Sequence, residues 1–371
     1  MRKDWEYKKW ADVLTIINGK NQKAVESIDG TYPIYGSGGI MGYANDWLCP
    51  ENCTIIGRKG NINKPIFVES KFWNVDTAFG LNSNQNLLAS KYLYYFCLNY
   101  DFNRHNKAVT IPSLTKVDLL KIEMPLPPKP TQLAIVAELD KINELIQLKK
   151  QQLKDYDQLA QSIFYEMFGD PVENEKGWEV KKLGEICSKI GSGATPKGGN
   201  NSYKDTGISL IRSLNVHNNL FKYEDLAHID DSQATALNNV IVKEKDILLN
   251  ITGASVARCC IVPNDVLPAR VNQHVCIIRI ANESDSFYLN RLFTNDSYQS
   301  KLLALSKSKA ATREALPKTI VESLSVPLPP LPLQQQFAAR IEAIERQKQQ
   351  VSETIKDLET LLASRMQYWF D

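Results

Sequence analysis

One long segment of this chain occurs twice, and this repeat limits the possible folds more than any other feature. The two copies begin with Pro-Leu-Pro-Pro at Pro125 and Pro327 and run to Gly169 and Asp371, in register at an offset of 202. In the first copy about 36 residues without proline or glycine follow the proline-rich start. A repeat of this kind indicates one structural unit used twice.

The spacing of apolar residues within each copy predicts a long helix that packs along another helix. Steps of three and four residues are the heptad pattern of a helix seam. The seam residues predicted to pack against the second helix are Leu139, Ile142, Ile146 and Leu153 in the first copy and Ile341, Ile344, Val351 and Leu358 in the second. Lys149 and Lys348 interrupt the seam. A polar residue in a seam costs stability but can fix the register of the pair.

Each helix would be roughly 50 Å long and needs a partner for its apolar stripe. One interpretation is a coiled coil that dimerises the protein. The other is an internal pair, in which the second helix returns antiparallel along the first. Proline is tolerated in the first turn of a helix but not in its interior, so the proline-rich starts fix where each helix leaves the preceding segment.

Composition is that of an ordinary globular protein with room for two or three domains. The 371 residues are 43% hydrophobic and 23% charged. The formal net charge of +2 is only weak evidence against nucleic-acid binding, because a net charge does not reveal local basic patches. We find no membrane-length apolar run and no leader at the start, and expect a cytoplasmic protein. The seven cysteines lack a paired metal spacing, which predicts free thiols and no metal site.

The two segments that precede the long helices share landmarks but differ in the residues between them. Residues 178–183 resemble residues 5–10, and the run 246–253 resembles the strand and turn at residues 53–60. We expect α+β domains with short strands. The predicted boundaries are residues 1–130 for the first domain, 131–169 for the central helix, 170–330 for the second domain and 331–371 for the C-terminal helix.

Two similar frames with different loops can contact two sites on one long ligand, and duplex DNA is such a ligand. Lysine and arginine can contact phosphates, while asparagine and glutamine can pair with adenine. The predicted DNA-binding residues are Arg58, Lys59, Asn61, Lys64, Asn74, Arg104 and Lys107 in the first half, and Asn250, Thr252, Arg258, Asn272, Gln273, Lys307, Lys309 and Arg313 in the second.

No catalytic constellation emerges from the sequence. The glycine-rich stretch 191–198 lacks the Gly-Lys-Ser/Thr ending of a phosphate loop, and Pro196 would interrupt an amide nest. The four histidines are scattered, and no serine or cysteine lies in a nucleophile motif. The prediction is a recognition component without catalytic residues. The alternative is a scaffold whose coiled coil carries two protein-binding domains.

The chain resembles the specificity subunits of type I restriction-modification systems. The resemblance rests on two variable domains alternating with two long helices, and on the Pro-Leu-Pro-Pro start followed by Gln132 or Gln334. It covers essentially the whole chain, including residues 32–39, 178–184 and 245–253. Asn250 and Ile251 depart from the polar or basic residues that many relatives carry before Thr-Gly.

The resemblance implies a non-catalytic subunit in which each domain reads one half of a split DNA sequence and the paired helices set the gap between the halves. It implies two methyltransferase subunits as partners, which use S-adenosylmethionine to methylate adenine, and motor-nuclease subunits that use ATP and magnesium. No cofactor is expected on this chain itself. The helices and their flanks would be the docking surface for the methyltransferase subunits.

Overall fold

The computed structural model describes residues 5–106, 111–196, 198–281, 284–308 and 314–371. These residues form two compact units. The first comprises the chain up to Gln152 together with Val351–Asp371, and the second comprises Leu153–Gln350. Both long helices contribute to both units, and each unit is considered separately below.

The first unit contains short strands and helices followed by one half of each long helix. Its strands are β1 Glu6–Lys9, β2 Leu14–Asn18, β3 Tyr32–Gly36, β4 Gly39–Ala44, β5 Cys53–Gly57, β6 Ile66–Val68, β7 Trp73–Asn74, β8 Ala78–Ser83 and β9 Glu123–Leu126. Its helices are α1 Trp10–Val13, α2 Ser90–Asn99, α3 Lys116–Leu119 and the first part of α4 Lys129–Phe168. The segment from β1 to β9 is called the first domain.

The second unit repeats this plan with insertions. Its strands are β10 Glu179–Lys182, β11 Cys187–Ser192, β12 Ile208–Ile211, β13 Val216–His217, β14 Leu220–Phe221, β15 Ala227–Ile229, β16 Ile241–Val242, β17 Ile247–Asn250, β18 Cys259–Ile261, β19 Ala269–Val271, β20 Val275–Ile280 and β21 Ser325–Leu328. Its helices are α5 Leu183–Ile186, α6 Asp231–Thr235, α7 Ser286–Phe293, α8 Asp296–Ser308, α9 Lys318–Glu322 and α10 Leu331–Phe370. The segment from β10 to β21 is called the second domain.

Sheet topology shows that the two domains share one frame. The antiparallel sheet has the order β2-β8-β5-β6 in the first domain and β11-β20-β17-β18 in the second. Each domain also has one parallel pair, β3 with β7 and β12 with β19. The first and last strands pair in both, β1 with β9 and β10 with β21. The predicted α+β architecture with an internal repeat is therefore correct.

The largest core cluster of each unit lies where the domain meets its long helices. In the first unit α2 buries Tyr92, Tyr95 and Phe96 among residues of the sheet and of α4, including Leu139. In the second unit Tyr288 of α7 packs in a cluster with Phe164 and Phe337 of the long helices. This burial of large aromatic and aliphatic side chains supplies the main driving force for folding.

Within each unit the two long helices run antiparallel. In the first unit Lys150 pairs with Glu359 at 2.8 Å, while Glu138, nearer the start of α4, pairs with Arg365, nearer the end of α10. In the second unit Asp157 pairs with Lys348 at 2.7 Å, and the Phe164 and Phe337 rings lie 5.7 Å apart. Partners early in one helix thus meet partners late in the other, as the internal-pair interpretation predicts.

All eight predicted seam residues are buried or half-buried. Leu139, Ile142, Ile146, Ile341, Ile344 and Val351 are buried, and Leu153 and Leu358 are half-buried. The two seam lysines have different contacts. Lys149 donates to Gln152 of its own helix at 3.0 Å, whereas Lys348 reaches across to Asp157 of the other helix.

A buried glutamine joins each long helix to its domain. Gln132 is 1% exposed, accepts a hydrogen bond from the Ala89 amide at 2.8 Å and donates to the carbonyls of Leu87 and Pro127. Tyr92 of α2 donates to the Pro125 carbonyl at 3.0 Å. These bonds link the start of α4 to the start of α2.

The second unit repeats this arrangement. Gln334 is fully buried, accepts bonds from the Asp285 amide at 3.0 Å and from the Ser284 hydroxyl, and donates to the Pro329 carbonyl at 2.8 Å. Tyr288 donates to the Pro327 carbonyl at 2.6 Å. We call each set, a glutamine with its backbone partners and the tyrosine, a latch. It explains why glutamine follows the proline-rich start in both copies.

Candidate nucleic-acid interface

The turn after the central strand of the first domain is held between two other chain segments. The Arg58 and Lys59 amides donate to the Thr77 carbonyl at 2.8 and 3.2 Å. The Gly60 amide donates to the Pro112 carbonyl at 3.0 Å, and the Arg58 carbonyl accepts from the Leu114 amide at 2.9 Å. We call the segments 58–61, 75–77 and 111–114 the first platform.

The second domain builds the same arrangement. The Ile251 amide donates to the His274 carbonyl at 2.9 Å, the Gly253 amide to the Glu314 carbonyl at 2.9 Å, and the Leu316 amide to the Ile251 carbonyl at 2.8 Å. We call the segments 251–253, 272–274 and 314–316 the second platform. Gly60 and Gly253 have φ angles of 79° and 74°, a conformation that favours glycine over residues with a side chain.

Matching the backbone bonds aligns the two platforms residue by residue. Arg58 and Lys59 correspond to Ile251 and Thr252, and Thr77 corresponds to His274. The same backbone thus carries two cations in one domain and an aliphatic and a hydroxyl side chain in the other. The frame is repeated, whereas the chemistry that it presents is not.

Exposed cations and amides surround the first platform. Arg58, Lys59, Asn61 and Lys64 are all exposed on one loop. Asn63 of that loop donates to the Asp101 carboxylate at 2.9 Å and accepts from the Phe102 amide at 2.8 Å. These bonds fix the loop beside the 3-10 turn Phe102–His105, which carries exposed Arg104. Five of the predicted DNA-binding residues therefore belong to one continuous surface.

The second platform carries a network of polar side chains instead. The Thr252 hydroxyl lies 2.6 Å from His274 Nδ1, and the Gln273 amide lies 3.2 Å from His274 Nε2. Thr195 donates to the Gln273 side-chain oxygen. Gln273 is exposed. This arrangement can offer hydrogen-bond donors and acceptors to a base edge.

Two further predicted cations lie in the second domain. Lys307, at the end of α8, lies 3.8 Å from Glu314 of the second platform. Arg258 Nη1 lies 3.5 Å from His217 Nδ1. Burial of His217, and next the nearby Arg258 charge, lower the pKa of that imidazole. Both cations are accessible, with Lys307 exposed and Arg258 half-buried.

Three predicted base-reading residues are buried, so the assignment of their side chains to base contacts was wrong. Asn74 is 0% exposed and donates to the Ala78 carbonyl at 3.2 Å. Asn250 is also 0% exposed and donates to the Ser213 carbonyl at 2.9 Å. Asn272, 5% exposed, accepts from the His274 amide at 3.0 Å. A polar side chain bonded to backbone in this way shapes a loop rather than reading a base.

Sequence reasoning missed two residues at the second platform. Thr195 lies in the glycine-rich stretch 191–198, which was rejected as a phosphate loop, and His274 was set aside with the scattered histidines. The adjacency of His274 to Asn272 and Gln273 was the available signal. Three other predicted residues, Lys107, Lys309 and Arg313, lie outside the described residues.

Each unit also has an open groove between its domain and a long helix. The first groove, of about 490 Å³, is lined by Phe67, Lys91, Tyr94 and Asp140 among others. The second, of about 380 Å³, is lined by Ile261, Phe287, Arg291 and Glu345 among others. An ion pair joins the domain helix to the long helix in both, Lys91 with Asp140 at 3.0 Å and Arg291 with Glu345 at 2.5 Å.

Neither a metal centre nor a membrane span was found in the part of the chain that the structure describes. No cluster of three or more His, Cys, Asp or Glu residues there has the geometry to hold a metal ion. None of the helices there combines the length and apolarity that crossing a bilayer requires.

Residues 2–155 and 175–360 match the family model of the type I restriction modification DNA specificity domain. The chain belongs to this family. The two matched segments correspond to the two copies of the repeated frame, each containing one platform and one latch. The platforms therefore belong to domains of a family named for DNA specificity in type I restriction-modification systems.

Two similar proteins carry names that agree with this family. The chain is 26% identical over 281 residues to the type I restriction enzyme MjaIX specificity subunit of Methanocaldococcus jannaschii, covering 69% of this chain and 62% of that protein. It is 25% identical over 146 residues, 38% of each chain, to a putative type I specificity subunit of Haemophilus influenzae. The alignments therefore span less than two thirds of either relative.

Solved structures share the fold. The type I restriction-modification S subunit from M. genitalium superposes with a TM-score of 0.59 at 14% identity, covering 100% of this chain and 98% of that one. A chain from a structure of the type I restriction-modification system gives 0.58 at 17% identity, covering 99% of this chain and 97% of that one.

Proposed function

We propose that this chain is the DNA-recognition subunit of a type I restriction-modification complex, and that each domain reads one half of a split duplex target. The observation that carries the proposal is the pair of platforms, which have equivalent backbone bonds and different side chains. One repeated frame with two sets of side chains suits a subunit that reads two different half-sequences.

The first platform fits contacts to phosphates and to guanine. Arg58, Lys59, Lys64 and Arg104 are exposed on one continuous surface. Arginine and lysine contact phosphate oxygens, and arginine can also bond guanine in the major groove. The second platform has fewer charges, and Thr252, Gln273 and His274 supply hydrogen-bond donors and acceptors. The two half-sites would then differ in salt dependence as well as in sequence.

The proposal extends to the spacer and to the partner subunits. The antiparallel helix pairing within each unit supports a role of α4 and α10 as the element that sets the gap between half-sites. The two grooves, one in each unit, support docking of two copies of one methyltransferase subunit. Those subunits would use S-adenosylmethionine, and motor-nuclease subunits would use ATP and magnesium.

The test is methylome sequencing of three kinds of strain, which carry the wild-type chain, a variant of it or no copy. The wild-type chain should direct methylation to a split sequence. Arg58→Ala with Lys59→Ala should alter or abolish recognition of one half-site and leave the other half-site and the gap unchanged. Lys121→Ala is the matched control, because Lys121 is an exposed cation of the same domain, 68% exposed and paired with Asp118.

A four-residue insertion after Lys149 tests the role of the helices, since it adds about 6 Å of helix. It should change the tolerated gap or abolish methylation. Unchanged gaps with altered half-site bases would count against that role. If the purified complex binds every duplex with one salt-dependent affinity, sequence recognition is refuted and the protein-binding scaffold is favoured.

A further inference from the structure

A β-bulge in the first domain exposes two consecutive apolar side chains. Strands β3 and β4 pair Ile34 with Gly42 and Tyr35 with Ile40, so that Met41 has no opposite residue. Successive side chains of a regular strand point to opposite faces, and a bulge breaks this alternation. Ile40 and Met41 are 56% and 61% exposed. The bulge therefore presents both side chains to solvent.

The hairpin that carries them lies beside the basic loop of the first platform. A methyl group in place of a Gly38 hydrogen would lie 3.9 Å from Asn61 Nδ2, and one on Gly60 would lie 4.0 Å from Ser37 Oγ. Gly39, at the hairpin turn, has a φ of 122° and open space around it. The hairpin tip thus lies against the loop that carries Arg58 and Lys59, and the apolar pair begins two residues after Gly38 of this tip.

This combination fits DNA better than it fits a protein partner. Apolar wedges that partly unstack a base step need flanking cations to hold the backbone on either side. A protein-docking patch is more often apolar at its centre and depleted of charge. Here the apolar pair lies at the edge of a loop with three exposed cations, Arg58, Lys59 and Lys64.

We propose that Ile40 and Met41 insert into a base step of the half-site read by the first domain, beside phosphates that Arg58 and Lys59 contact. The inference rests on the proposed function, because it assumes that this domain binds duplex DNA. Among the described residues of the second domain, β12 pairs with β15 across a longer connection that contains the β13–β14 pair, and this pairing has no bulge like that between β3 and β4. Distortion is therefore expected in one half-site only.

The experiment uses the full chain in its native complex and target duplexes with 2-aminopurine at successive positions other than the methylated base. Wild-type binding should raise the fluorescence at one step of one half-site. Ile40→Ser with Met41→Ser should abolish this rise and weaken binding about tenfold, without changing the salt slope. Arg58→Ala should retain the rise and reduce the salt slope by about one.

Ile28→Ser is the matched control, because Ile28 is 97% exposed in the same domain. Its neighbour Ser27 donates its amide to the Tyr43 carbonyl, so Ile28 lies beside the far end of β4, away from the hairpin tip. It should behave like the wild type. Wild-type affinity and fluorescence in the Ile40/Met41 variant would overturn the inference. So would loss of partner-subunit binding with DNA binding intact, which would assign the patch to a protein interface. Absence of any site preference in the wild type would instead refute the proposed function.

Discussion

Replacement of a latch glutamine by leucine should loosen one domain and leave the other intact. Gln132 makes three hydrogen bonds at 2.8 to 2.9 Å, all to backbone groups. Leucine has nearly the same size but neither donates nor accepts. The substitution therefore removes the bonds without opening a large cavity.

The expected magnitude follows from those bonds. A neutral hydrogen bond contributes about 1 kcal/mol net, and a buried group left unpaired costs about 1–3 kcal/mol. The loss of three bonds should therefore cost about 3 kcal/mol, the low end of this range. The low end applies because water can reach part of the site when the contact loosens. Local opening of α2 should then become about 100-fold more frequent.

Hydrogen exchange measured by mass spectrometry is the suitable assay, because a chain with two units does not unfold as a single two-state transition. In Gln132→Leu, amides of α2 should exchange about 100-fold faster, while those of α7 should keep wild-type protection. Gln334→Leu should show the reverse. Gln147→Leu is the control, because Gln147 lies on α4 and is exposed. Unchanged exchange of α2 in Gln132→Leu would refute the latch.

Two further predictions concern ion pairs within single units. Glu345→Ala removes the ion-pair partner of buried Arg291 and should destabilise the second unit by about 2 kcal/mol, below the usual cost of breaking a buried pair because Glu345 is partly exposed. Amides of α7 should then exchange faster than in the wild type, and unchanged exchange would contradict this. The hydrogen bond from Arg365 lowers the pKa of Glu138 below its ordinary 4.5, so the contribution of Glu138 is complete above that pH and is lost as pH falls through the lowered pKa. The protection of α10 amides near Arg365 from hydrogen exchange should therefore become equal in the wild type and Glu138→Gln on acidification, and a constant difference would refute the linkage.

The elements with the strongest sequence signals were predicted well. The long helices follow from the heptad pattern, which one lysine interrupts in each copy, and the strand predicted within residues 53–60 corresponds to β5. Helix α2 Ser90–Asn99 lies in a run dense in apolar and aromatic residues, of which Tyr92, Leu93 and Phe96 are buried. Pattern and length sufficed because these elements bury a continuous apolar face.

The second domain shows where pattern reasoning stops. Strands of two or three residues, such as β13 Val216–His217 and β16 Ile241–Val242, are too short to show a period. Their existence depends on pairing with distant strands, as β16 pairs with β19. Such contacts are decided by the tertiary fold rather than by local preference.

Side-chain roles were harder to predict because residue type does not reveal burial. Asn74, Asn250 and Asn272 were predicted to read bases, yet the structure bonds them to backbone groups inside the domains. An asparagine beside a turn serves either purpose with the same chemistry. Lysine and arginine were safer choices, since their burial is costly, and Arg58, Lys59, Lys64 and Arg104 are all exposed.

The matched platforms explain how one backbone arrangement can be kept while the side chains that it presents change. The bonds that build each platform, from Gly60 to Pro112 and from Gly253 to Glu314, join backbone atoms only. Side chains at positions 58, 59, 251 and 252 are therefore free to vary without loss of the turn, whereas the glycines must stay because of their positive φ. The latches, by contrast, use side chains in both copies and so require Gln132, Gln334, Tyr92 and Tyr288. Variation is thus expected at the platforms and constancy at the latches, which separates the residues proposed to read DNA from those that hold each domain on its helix.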